Sequence, residues 1–147
     1  NIYRQRQLLK EYFFPVLAGC FTGCLTSLGS ILLLCKLLSV DSVIASSLLP
    51  KSVTTAIAVA ISDSNGGIQG ITVTAVLVAG VIGAIFAPLF AKLFRVTDPV
   101  AEGVAIGACS HALGTSKAME IGALQGAMSS IALCVCGIMT SIIIMFF

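Results

Sequence analysis

The sequence predicts an all-α membrane protein: a polytopic bundle of transmembrane helices with two broken or re-entrant segments, arranged as an inverted repeat. Three observations predict it. Of the 147 residues, 58% are hydrophobic and 10% are charged, against roughly 45–50% and about 25% in an average soluble domain. Three apolar blocks reach the length of about 20 residues that a helix needs to cross a bilayer. Two further apolar stretches, one after each of the first two blocks, are interrupted by short polar runs containing proline or glycine. A soluble chain could hide one such helix in its core, but it could not hide three and cover itself with so few charges.

Asn1 to Lys10 carries Arg4, Arg6 and Lys10, and the positive-inside rule assigns this end to the cytoplasm. The start on Asn1 rather than Met predicts that the chain begins within a longer protein. The first spanning helix is expected over residues 13–38, running outward. The second, expected over 71–94, ends in Lys92-Leu93-Phe94-Arg95 and so runs inward by the same rule. The third is expected over 128–147. None of the three blocks contains Asp or Glu, and Lys36 and Lys92 lie near block ends, where a lysine can snorkel.

Two consecutive spans with these orientations require the stretch between them to leave the membrane on the side it entered. Residues 42–62 are therefore expected to be re-entrant, with a break at Leu49-Pro50-Lys51-Ser52-Val53-Thr54-Thr55. Proline removes a backbone donor and disfavours helix at the preceding residue. Residues 99–117 repeat the pattern, ending in the glycine-punctuated run Gly107 to Lys117. Lys36 to Val43 resembles Lys92 to Val100 with one inserted residue, which sets Asp41 opposite Asp98, each placed to cap the following helix. Pro99 then occupies a first helical position. Inverted repeats with broken helices in corresponding places are the pattern of secondary transporters. Gly19, Gly23, Gly80, Gly83, Ala84 and Ala87 are read as sites of close helix contact.

Ionisable groups deep in a membrane are expensive and mark candidate sites. Lys51, His111, Lys117 and Glu120 stand out. Lys51 with Ser52, Thr54 and Thr55 offers one cation and three hydroxyls around freed backbone groups, a cradle for a small anion. The alternative is a snorkelling lysine with hydroxyls that serve their own helix. The second break offers Ser110, His111, Gly114, Thr115, Ser116 and Lys117. His111 and Glu120 are the candidates for proton coupling, since a histidine titrates near neutrality; the alternative for the lone histidine is a hydrogen-bonded structural role.

Other classes find little support. A net charge of +2 supplies no basic stripe, so no nucleic acid is expected as a partner. The six cysteines lie in apolar stretches without CxxC spacing, so neither metal nor cofactor is expected. No GxSxG, HExxH or phosphate-binding loop occurs, and no enzyme is expected.

Three ordered motifs then carry a resemblance. Leu49 to Ala58, Gly66-Gly67-Ile68 and Ser110 to Ala118, with Gly126 to Leu133 as a further block, resemble the LrgB/CidB family over nearly the whole chain. One departure is Ala56, where the family usually has proline. The resemblance implies a multi-pass bacterial inner-membrane protein, antiholin-like, linked to murein hydrolase control and programmed lysis. Relatives are associated with pyruvate uptake, and the similar plant chloroplast protein with glycolate and glycerate. It also implies a longer N-terminus, a small LrgA/CidA-like membrane protein as partner, and a homo-oligomer, expected to be a dimer. Two functions follow as expectations: a carrier of small monocarboxylates, with the two breaks meeting near the midplane, or a holin-like regulator acting by oligomerisation.

Overall fold

The computed structural model describes residues 12–146. The basic segment with Arg4, Arg6 and Lys10, on which the cytoplasmic assignment rests, lies outside the described residues. Among the described residues six helices follow one another: α1 (Phe13–Leu37), α2 (Ser42–Leu48), α3 (Thr55–Ser64), α4 (Gln69–Leu93), α5 (Pro99–Ile121) and α6 (Ala123–Met145). There is no strand among the described residues. α1, α4 and α6 are long and apolar enough to cross a bilayer, and their outward faces carry Leu, Ile, Val and Phe side chains. α6 begins five residues earlier than the apolar block alone indicated, because Gly122 in extended backbone ends α5 and starts α6.

α1 and α4 end alike. Ser39 (φ 50°) and Arg95 (φ 52°) sit in the left-handed region. Val40 N–H donates to the Cys35 carbonyl and Val96 N–H to the Ala91 carbonyl, both at 2.9 Å, the six-to-one bond of a Schellman cap. Asp41 then accepts from Val43 N–H (2.8 Å) and Asp98 from Val100 N–H (2.9 Å). The faint sequence similarity of these two stretches thus corresponds to one repeated corner, chain reversal followed by an Asp-capped helix.

Contacts fix the directions. Gly19 and Gly23 of α1 face Val104 and Ala108 of α5, so α1 and the first arm of α5 run parallel. Gly103 faces Gln125 and Gly107 faces Ser129, so this arm also runs parallel to α6. Gly83 faces Ser110 and Ala87 packs with Ile106, so α4 runs against it. The second arm of α5 turns back: Ala118 joins the same cluster as Ile106 and Ala87. A straight helix would hold residues 106 and 118 about 18 Å apart. The turn is His111, at φ 40° and ψ −135°. The break is this single residue; the expected polar break from Gly107 to Lys117 is helical on either side of it, and Gly107 and Gly114 serve contact within the bundle.

The first insertion does the same from the opposite face. Ser52, in the turn between α2 and α3, reaches Ser27 near the middle of α1 (2.7 Å). α3 then climbs back beside α4, with Ala58 near Val76 and Ser62 on Thr72. Ser47, Ser62 and Thr72 are each fully buried and form one hydroxyl knot, Thr72 Oγ1 lying 2.7 Å from Ser62 Oγ and 2.9 Å from the Ser47 carbonyl. Thr54 and His111, the residues that restart helix after each turn, stand at the same sequence distance from Asp41 and Asp98. α1 with the α2–α3 hairpin and α4 with the α5 hairpin are therefore two copies of one unit in opposite orientation.

Candidate functional site

The two hairpin tips meet on α4. Val76 is fully buried against Val53 of the first turn, and its carbonyl accepts a hydrogen bond from His111 Nε2 of the second turn (2.8 Å). That bond requires the proton on Nε2, so His111 is a donor that ties the second tip to α4. Gly80 makes room for the imidazole. A non-glycine residue at this φ and ψ is strained by about 1–3 kcal/mol, and the bond to Val76 holds it there.

Beside the tips runs a groove of about 810 Å³. One wall is α4 with its C-cap Phe94, from Ile71 onward; the other is the first arm of α5, with Glu102, Ala105, Ile106, Cys109 and Ser110; Leu48 and Lys51 of the first hairpin complete the lining. The lining is mostly apolar, with Lys51 and Glu102 as its charged residues and Thr74, Ser110 and Cys109 as its small polar groups. Pro50 and Val53 bury the other side of the first turn, which leaves Lys51 facing the groove. Lys51 Nζ donates to Ser52 Oγ (3.3 Å), and Ser52 is hydrogen-bonded in turn to Ser27. α3 begins at this turn with Thr54 as its N-cap and no side-chain cap. Its first N–H groups and positive dipole end stand at the tip.

The residues expected at the site from sequence divide accordingly. Lys51 and Ser110 line the groove, Ser52 supports Lys51, and Thr54 and Thr55 form the start of α3. His111 and Thr115 are buried; Thr115 donates to the His111 carbonyl (2.9 Å) and meets Ser129 Oγ (2.9 Å). Gly114 lies against Ser110 and Ile106, filling the inside of the hairpin. Ser116 is exposed and bonds to Ala112 of its own helix. Lys117 and Glu120 do not line the groove. They form an exposed ion pair at 2.8 Å, one turn apart on α5, late in the arm that returns to the surface. Cys109, Thr74, Ser27 and Glu102 were not singled out in the sequence. Glu102 reads there as an ordinary first-turn acid after Asp98-Pro99, and only the fold reveals the groove beside it.

The comparisons bear on a chain with this architecture. A match to the LrgB-like family covers residues 1–147. The chain belongs to the LrgB-like family. Among its curated relatives, the antiholin-like protein LrgB of Bacillus subtilis (strain 168) is 39% identical over 143 residues, covering 97% of this chain and 62% of the relative. The proteins of the same name from Bacillus mycoides (strain KBAB4) and Bacillus cereus (strain B4264) are 39% identical over 146 residues, covering 99% of this chain and 64% of each relative. This LrgB-like chain thus spans less than two-thirds of the length of these relatives. No solved structure matches it.

Proposed function

We propose that this protein is a secondary transporter of small monocarboxylates such as pyruvate or glycolate, and that the anion binds in the groove at the hairpin tips. The observation that carries the reading is the pair of oppositely oriented re-entrant hairpins whose turns meet at Val76. Irregular backbone at membrane depth is tolerated where protein buries it or where it lines a cavity, and it is a recurring device for binding charged substrates. Lys51 supplies the charge, Ser52 orients its ammonium, and Ser110 and Thr74 supply hydroxyls. The start of α3 adds backbone donors of the kind that receive carboxylates. A bacterial inner-membrane location belongs to the same reading.

The experiment is uptake of labelled pyruvate, glycolate and lactate into liposomes holding the intact protein, with and without a proton gradient, alongside Lys51→Glu. Saturable uptake that is lost in Lys51→Glu supports a carrier with its site at the first hairpin. A second reading is favoured by the printed name of the relatives, antiholin-like protein: a regulator of lysis that acts by oligomerisation, with a small LrgA/CidA-like partner. It expects leakage of unrelated solutes, or no flux at all, and insensitivity to Lys51.

A further inference from the structure

We infer that the C-terminal end of α4 carries a binding site for an anionic phospholipid: Lys92 and Arg95 take its phosphodiester, and one acyl chain lies in the groove between α4 and α5. The inference does not depend on the carrier reading. A second cavity, of about 580 Å³, adjoins the groove at this end, and Lys92, Arg95 and Thr97 line it together with Pro88 and Ile121. Ala91, Val96 and Glu102 line both, so the cationic cavity and the apolar groove are continuous. By the positive-inside rule this end of α4 lies at the cytoplasmic leaflet, where anionic headgroups set the surface potential and basic pockets between helices receive them.

The groove fits an acyl chain in length and in polarity. From Phe94 to Gly83 the helix rises about 16 Å, and one leaflet of the hydrocarbon core is about 15 Å deep. Apart from Glu102 at its mouth, this half is apolar, with Phe94, Ala91, Phe90 and Ala87 of α4 facing Ala105 and Ile106 of α5. Polar lining begins with Cys109 and Ser110, where Ser110 meets Gly83. A chain anchored at Arg95 therefore ends where the hydroxyls and Lys51 begin. Val78, Ile82 and Phe90 are about half exposed, so the groove is open along its side and a chain enters it from the bilayer. Phe86, Phe90 and Phe94 form an aromatic ridge on α4, with ring centroids 6.0 and 6.3 Å apart.

Charge selects the headgroup. Lys92 and Arg95 against Glu102 leave the cavity with one excess formal positive charge, which one phosphodiester neutralises and a zwitterionic headgroup does not. Among the described residues the ion pair is that of Lys117 with Glu120, so neither Lys92 nor Arg95 is spent on a neighbouring carboxylate. Glu102 Oε2 accepts from Gln125 Nε2 at 3.2 Å, and its other oxygen is an acceptor for headgroup hydroxyls, as a glycerol headgroup offers. A free phosphate would satisfy the cations and leave the apolar groove unfilled. The internal repeat supplies a comparison: Lys36 and Ser39 hold the places of Lys92 and Arg95 at the end of α1, with the same left-handed residue (φ 50° and 52°). There the second cation is missing, and neither Lys36 nor Ser39 lines either cavity.

The test titrates the intact protein in detergent with phosphatidylglycerol, phosphatidylethanolamine and phosphatidylcholine, and counts bound copies by native mass spectrometry. Saturable binding of phosphatidylglycerol, about tenfold or more tighter than either zwitterionic lipid, is the expected result. A basic residue near the membrane surface is worth about fivefold in affinity. Lys92→Gln and Arg95→Gln are each expected to weaken phosphatidylglycerol by that factor, and Lys36→Gln to leave it unchanged. Ala105→Phe fills the groove without touching a charge, and it too is expected to lower the affinity; with Lys92→Gln it decides the question even where Arg95→Gln fails to fold. Equal affinity for the three lipids overturns the inference, as does an equal loss in Lys36→Gln, which would make the effect one of general charge. Full affinity in Ala105→Phe removes the acyl chain from the groove and overturns it. Displacement of the bound lipid by inorganic phosphate assigns the two cations to a soluble anion and overturns it as well.

Discussion

At the scale of single residues, a lysine in the turn of a membrane hairpin must find either a headgroup or a counter-charge. Lys51 lines the groove and, among the described residues, has the Ser52 hydroxyl as its side-chain partner, so on the carrier reading its charge is available to an anion. Removing one member of such a pair costs roughly 2–5 kcal/mol of binding, about 30-fold or more in affinity. Lys51→Met, which keeps the bulk and the apolar wall, is expected to raise the KM for uptake by at least that factor while its thermal unfolding in detergent is unchanged. Ser52→Ala should cost about tenfold at most, the worth of one hydrogen bond. His111 allows a sharper distinction. His111→Ala keeps the strained φ and loses the Val76 bond, whereas His111→Gly loses the bond and the strain together. The glycine variant is expected to melt above the alanine variant, by about 1 kcal/mol of stability, and the reverse order would show that the backbone there is unstrained.

Elements carry the next level, and here glycines divide by what they touch. A Cβ on Gly107 would run into the backbone of Ser129, while one on Gly29 meets nothing within 4 Å. Gly107→Ala should prise α5 from α6 and cost about 1–3 kcal/mol. Gly29→Ala, in the same fold, should be neutral or gain up to about 1 kcal/mol from helix propensity. Thermal unfolding of both variants, measured side by side, checks the contrast. The same elements show what could be read in advance. The three spans, the Pro50 break and the two Asp caps follow from local rules of hydropathy and helix initiation, so they were visible in the sequence. The turn at His111 was not, because nothing in Cys109-Ser110-His111-Ala112 forbids helix; only the contacts of Gly80 and Val76 single out one residue. Glu102 stayed hidden for a related reason. Its local setting is that of any helix start, and the groove beside it is made by α4, remote in sequence.

For the whole molecule, the repeat supplies a mechanical expectation. Each hairpin brings a serine near its turn against the long helix before it, Ser52 on Ser27 of α1 and Ser110 on Gly83 of α4. A carrier built from two inverted units changes access by moving one unit against the other around a fixed site. The hydroxyl contact, with Ser27 and Ser52 oxygens 2.7 Å apart, is close enough that cysteines at both positions fall within disulfide reach. If the first hairpin moves during the cycle, oxidising the Ser27→Cys/Ser52→Cys pair with copper-phenanthroline must arrest uptake, and dithiothreitol must restore it. Each single replacement under the same oxidant controls for the six native cysteines. If the cross-link forms, as shown by protection from maleimide labelling, and uptake continues at the full rate, the α2–α3 hairpin is a static wall. Movement must then lie in the α5 hairpin, whose tip packs on Gly80 and Gly83 of α4 and is tied to it by the His111 bond to Val76.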